Sequence, residues 1–190
     1  MSRLGSSPGV FFLASQRPPQ PRVHCSVASG SRVEPFGGFI QMAPSVAFAA
    51  RATALVHVLR LRPGADLLVE LREYVGRAGL RASFVVTCVG SLTRATLRYA
   101  NQGEAAVVTG HFEICSLVGT MGRDAPPHLH ISLSDGKGAM VGGHVLEGCT
   151  IYTTAEVVLG ECGEGLTFTR PIDPETTWDE LHASKRCSIA

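Results

Sequence analysis

The chain has 190 residues, 45% hydrophobic but only 6% aromatic, which suits one core built mainly of Val, Leu, Ile and Ala. Its 17 Lys and Arg against 16 Asp and Glu leave a formal charge of +1, which argues against strong non-specific capture of nucleic acid. No apolar run reaches the roughly 20 residues of a membrane-spanning helix, so no membrane partner is expected.

Residues 1–50 form a leader of different character. The first 33 residues contain Arg3, Arg17, Arg22 and Arg32, several serines and no acid. That composition resembles an organelle transit peptide, which would direct the protein to a mitochondrion or plastid. The alternative is a flexible leader, because its prolines interrupt any long amphipathic helix.

Regular patterning begins at Thr53. In TALVHVLRLRPG, Leu55, His57, Leu59 and Leu61 share one face and Arg60 and Arg62 the other, as on a strand that Pro63-Gly64 ends. His57 among leucines reads as a hydrogen-bonded core histidine. In DLLVELREYVGRAGL, Leu67, Leu68, Leu71, Tyr74, Val75 and Ala78 make a stripe with helical spacing. Asp66 suits the helix start and Gly79 its stop.

Everything after that reads as strand: SFVVTCVGSL, RATLRYA, VVTGHFEICSLVGTMG, HLHISLSD, AMVGGHVLEG, TIYTTAEVVLGEC and a short LTFTRPID. Gly110 and Gly119 are candidate bulge sites. The fold class is therefore α+β, a mostly antiparallel sheet with one principal helix over residues 51–172. A tail, 173–190, follows, with a single helical turn expected after Trp178. The six cysteines form no CxxC pair, and Cys88 and Cys115 read as buried thiols within strands. This points to the cytoplasm or another reducing compartment.

One stretch carries chemistry. In PHLHISLSDGKGAMVGGH, His128 and His130 are two apart and leave the same face of a strand, while His144 lies on the next strand. A three-residue loop centred on Lys137 would set His130 opposite His144, with three imidazoles on one face. A two-residue loop would turn His144 to the other face. Three neutral imidazoles with a fourth position open suit zinc or another divalent transition metal. The alternative is three ordinary solvent-facing or hydrogen-bonded histidines. His111 and Glu113 form a further same-face pair, either orienting a ligand or a ligating histidine from behind or belonging to a solvated strand face. Glu156 is either paired across an interface or on the polar face of its strand. Glu147, His24 and His182 carry weaker signals or none. The nucleophile elbow, the phosphate loop, HExxH and zinc-finger spacings are absent, and the glycine-rich stretch precedes no helix.

GHFEICSLVGTM, HLHISLSDGKGAMVGGHVLEGC and TTAEVVL, in that order, resemble the plants-and-prokaryotes conserved (PPC) domain family, over about Ala54 to Arg170. The resemblance implies a domain that assembles as a homotrimer, which would cover more strand surface than one helix can. It also implies a shared metal site at His128, His130 and His144, as in stand-alone prokaryotic members. Plant members add AT-hooks with an arginine-glycine-arginine-proline core. SQRPPQP and SSPGV lack that core, so no direct nucleic-acid binding is carried over. The expected function is a trimeric binding or regulatory module for a small ligand or a protein partner, with no defined reaction. The alternatives are a metal-dependent hydrolase and a nuclear, chromatin-associated scaffold without direct DNA contact.

Overall fold

The computed structural model describes residues 50–163 and 165–185. The leader, apart from Ala50, lies outside the described residues, as do His24, Cys25, Cys187 and the last five positions. The alternating run becomes β1 (Ala54–Leu61), and the stripe becomes α1 (Leu67–Ala78). Leu67, Leu68, Leu71 and Val75 are buried on α1. Each such side chain contributes about 1.5–3 kcal/mol relative to exposure. Gly79 ends the helix at φ 71°, and the Leu80 N–H closes onto the Val75 carbonyl at 3.0 Å.

Asp66 does more than start the helix. Its Oδ1 accepts from the Val69 N–H at 2.9 Å, and its Oδ2 accepts from the N–H groups of Gly148 and Cys149 at 2.6 and 2.8 Å. One carboxylate thus ties the helix start to the turn before the strand that begins at Thr150. Asp66→Ala leaves three partly buried donors without this acceptor. The expected loss is about 2–4 kcal/mol, read as a lowered midpoint in urea denaturation.

The remaining strands are β2 (Ser83–Arg98), β3 (Ala106–Gly122), β4 (Ala125–Asp135), β5 (Met140–Val145), β6 (Thr150–Cys162), β7 (Leu166–Thr169) and β8 (His182–Lys185). All their pairings with one another and with β1 are antiparallel. The main sheet has the order β1-β6-β2-β3-β4-β5, and β5 also pairs with the end of β2. This closes β2 to β5 into a ring and leaves β1 as an open edge.

The buried side of the helix joins one core cluster with Val157, Leu159, Val85 and Cys88 on one face of the sheet. Val56, Gly160, Phe84, Thr120 and His128 form one row across five strands on the opposite face. Val56, Val58, Val89 and Val118 are exposed there.

Four local expectations change. SFVVTCVGSL and RATLRYA form one strand that register shifts bend. The bulge expected at Gly110 is present, since Leu92 faces Phe112 while Arg94 faces Thr109. Gly119 itself pairs in register with Leu129, and the shifts fall on either side of it, between Ile114 and Ser116 and between Thr120 and Gly122. Where a helical turn was expected, His182–Lys185 instead pairs with β7 over a small core of Ala82, Ala125, Leu166, Phe168 and Ala183. Cys88 and Cys149 are buried and their thiols pushed up to about 12 and about 11, chiefly by burial, but Cys115 is exposed. The four described cysteines carry free thiols. His57 is the hydrogen-bonded core-edge histidine its neighbours suggest, with Nδ1 2.9 Å from the Tyr74 hydroxyl.

Candidate metal centre

The register left open by the sequence is settled by the turn. Asp135 donates its N–H to the Ala139 carbonyl at 2.9 Å, and its side chain accepts from the N–H groups of Lys137 and Ala139, both at 2.8 Å. Gly138 takes φ 82°, which an L side chain would resist. The loop is thus three residues centred on Lys137, and His130 pairs directly with His144. His128 follows on the same face. A second constraint holds β5 in place, because His144 is also paired with Arg98 at the end of β2.

The three imidazoles converge. Their ring centres are 5.1, 5.3 and 5.5 Å apart, and one nitrogen from each lies within 4.8 Å of the others. A tetrahedral zinc with Zn–N of about 2.0–2.1 Å needs nitrogens about 3.3 Å apart, a closure that small side-chain rotations supply. The donor chemistry also fits. His144 Nδ1 is buried with no hydrogen-bond partner among the described residues. The His144 pKa is pushed down to about 4, first by burial and then by Arg98, His128, His130 and Arg170. That of His128 is lowered by burial, Arg170, His130 and Arg98, against a smaller opposing effect of Glu180. Neutral imidazoles keep the lone pair that a metal requires. The cluster is capable of coordinating a metal ion.

The lowered His144 pKa also predicts a pH dependence of the metal-free fold. Above the unfolded value near 6.5 the ring is neutral in both states, and its stabilising contribution is complete. As pH falls toward about 4, the unfolded chain takes a proton that the folded chain resists, so stability declines. Urea midpoints should therefore drop between about pH 6.5 and 4, and less so in His144→Gln.

Two pockets flank the histidines. The larger, of about 590 Å³, is lined by Arg98, Tyr99, His128, His130, His144 and Trp178, among others. The smaller, of about 210 Å³, lies on the other flank and reaches Thr120 and Arg170. Gly142 and Gly143 permit close backbone approach. A Cβ at Gly142 would meet the Ile131 carbonyl oxygen at 2.6 Å, and one at Gly143 the Arg98 oxygen at 2.8 Å.

His111 and Glu113 are not brought to this cluster. The His111 ring packs on Tyr152 at 4.6 Å, and Glu113 faces Ser134, four residues along β4 from His130. Neither lines the two pockets. Glu147 pairs with Arg72 at 2.7 Å on the surface, and Glu156 stands exposed opposite Arg60. Sequence reasoning missed Arg98, Arg170 and Trp178. The alternation of RATLRYA sets Thr96 and Arg98 on the face opposite Ala95, Leu97 and Tyr99, but only the β2–β5 pairing puts Arg98 beside His144.

Comparison with known proteins follows the same geometry. The family model of the Plants and Prokaryotes Conserved (PCC) domain matches residues 50–163. The bifunctional protein GlmU of Synechococcus sp. (strain JA-3-3Ab) is 45% identical over 130 residues, 68% of this chain and 21% of that protein. The chain thus spans about a fifth of the length of that curated relative. A solved hypothetical protein from Salmonella cholerae-suis is 43% identical, with a TM-score of 0.70 over 72% of this chain and 98% of its own. A metal-containing protein from Archaeoglobus fulgidus has the same fold at 24% identity, with a TM-score of 0.59 over 70% of this chain and 95% of its own. With the helix, the sheet order and the match over more than half its length, this chain belongs to the Plants and Prokaryotes Conserved domain family.

Proposed function

We propose that the protein is a metal-dependent binding module, in which His128, His130 and His144 hold zinc or another divalent transition metal and leave one position for a small ligand. The convergence of three imidazole nitrogens within 4.8 Å carries this reading. When bound, such a metal would supply Lewis acidity. The chain's own part is to orient the rings through the β4–β5 and β2–β5 pairings and to hold the pKa values of His128 and His144 down. A metal in the Archaeoglobus relative is compatible with this but concerns that protein, which at 24% identity shares the fold.

The module is proposed to work as a homotrimer. The exposed valines opposite α1 are the supporting observation, since burying them between copies removes apolar surface from water. A metal-dependent hydrolase is the second reading. It lacks a carboxylate base among the residues lining either pocket, Glu113 included, which favours binding over hydrolysis. Nothing about the site favours a chromatin scaffold. A reducing compartment is the proposed location.

The deciding experiment is metal content by plasma mass spectrometry on untagged protein, with native mass spectrometry on the same sample. Near one divalent ion per chain and a mass of three chains are expected. Protein that is purified without metal and takes up none on addition would end the metal reading, and a monomer at micromolar concentration would end the trimer.

A further inference from the structure

Next to the histidines stands charge that the metal reading does not use. Arg98 lines the larger pocket beside His144, and Arg170 lines the smaller one, where its Nη2 donates to Thr120 Oγ1 at 2.8 Å. Neither arginine makes an ion pair among the described residues. Glu180 and Asp179 act on Arg170 electrostatically, and Glu180 on His128 as well, yet neither acid lines a pocket. The formal charge at the pockets is therefore that of two guanidiniums, with no acid in either lining. A cationic ligand is disfavoured there, and an anion is drawn in.

The rest of the lining says what kind of anion. Tyr99 and Trp178 offer aromatic faces, and Asn101 and Gln102 offer amides, around about 590 Å³. Trp178 and Arg170 come from beyond residue 163, where the family match ends. Trp178 is held by the turn after β7: the Asp173 N–H donates to its carbonyl at 2.8 Å, and its own N–H donates to Thr176 Oγ1 at 3.3 Å. It remains 69% exposed, a large apolar surface at a pocket rim that a ligand would cover.

We propose that the larger pocket binds a small aromatic oxyanion, a carboxylate or phosphate ester, whose charged head pairs with Arg98 beside the histidine centre and whose ring packs on Trp178. Arg98 is suited to this because its planar fork matches two oxygens of such a head at once. The proposal deepens the metal reading, which supplies a second contact for the head. The Arg98 and Trp178 contacts stand without it.

Trp178 is the chain's one tryptophan, so its fluorescence reports on this pocket alone. Benzoate, phenyl phosphate and benzyl alcohol share a ring and differ in the head, and each is titrated into metal-loaded and chelator-treated protein. The two anions should change the Trp178 emission and benzyl alcohol should not. The stronger anion identifies the head as carboxylate or phosphate. Arg98→Met should weaken anion binding about tenfold or more, by calorimetry as well as fluorescence, with metal content unchanged. Arg98→Lys, which keeps the charge but not the fork, should recover part of the loss. Equal binding of benzyl alcohol, unchanged affinity in Arg98→Met, or no anion binding in either form of the protein overturns the proposal. A protein that holds no metal yet binds anions through Arg98 keeps the anion pocket and ends only the metal reading.

Discussion

Replacing His144 with alanine should bring the metal content of the purified protein from near one ion per chain to background, and weaken metal affinity by well over 100-fold. The expectation follows from where each nitrogen comes from. His128 and His130 are neighbours on β4, but His144 arrives from β5 through a three-residue turn and a second pairing with β2. Without it, two imidazoles on one strand remain, and a metal held by two donors competes poorly with water. Loss of a partner behind a ligand already costs roughly 10–100-fold, and loss of the ligand itself costs more. His111→Ala and Glu113→Gln form the matched controls. Glu113 faces Ser134, and four residues of strand put it about 13 Å from His130, too far to orient that ring. Both controls should load metal like the parent, as plasma mass spectrometry would show. A His144→Ala protein that retains its full complement would remove the metal centre from consideration.

The same pairings explain what the sequence made legible. Helix α1 could be read because its stripe, its capping Asp66 and its αL Gly79 are all local. The histidine cluster could be read only up to a choice between two loops. DGKG permits either, and the deciding hydrogen bonds of Asp135 and the remote pairing of β5 with Arg98 are tertiary. Arg98, Arg170 and Trp178 reach the pockets from three places along the chain, and no spacing rule joins them. HASK was missed as a strand for a related reason: its pairing with LTFT buries mainly Ala183, too little apolar surface to leave a pattern. Cys115 misled in the opposite sense, since a register shift beside it turns the side chain out of the core.

Gly119→Ala should be among the most destabilising single methyls in the domain, costing more than about 3 kcal/mol, and should take metal binding with it. Gly119 lies on β3 opposite Leu129, at φ 136°. A Cβ there would run into the His128 carbonyl oxygen and come within 2.9 Å of the Leu129 Cα, both backbone atoms. Backbone cannot rotate aside, so the methyl must push β3 from β4. That breaks ladder hydrogen bonds worth about 1 kcal/mol each, on top of about 1–2 kcal/mol of dihedral strain. The strand displaced is the one that carries His128 and His130. Two further glycines separate these causes. Gly138→Ala meets open space but keeps a φ of 82°, so it should cost only about 1 kcal/mol. Gly136→Ala meets open space without a positive φ and should fall within about 0.5 kcal/mol of the parent. Added zinc should raise the urea midpoint of the Gly136 and Gly138 variants, because an ion that binds only the folded site stabilises it by mass action. It should leave Gly119→Ala unmoved, since there the donors no longer converge. If Gly119→Ala instead unfolds within about 1 kcal/mol of the parent and still responds to zinc, then close contact between β3 and β4 is not what holds the histidines together.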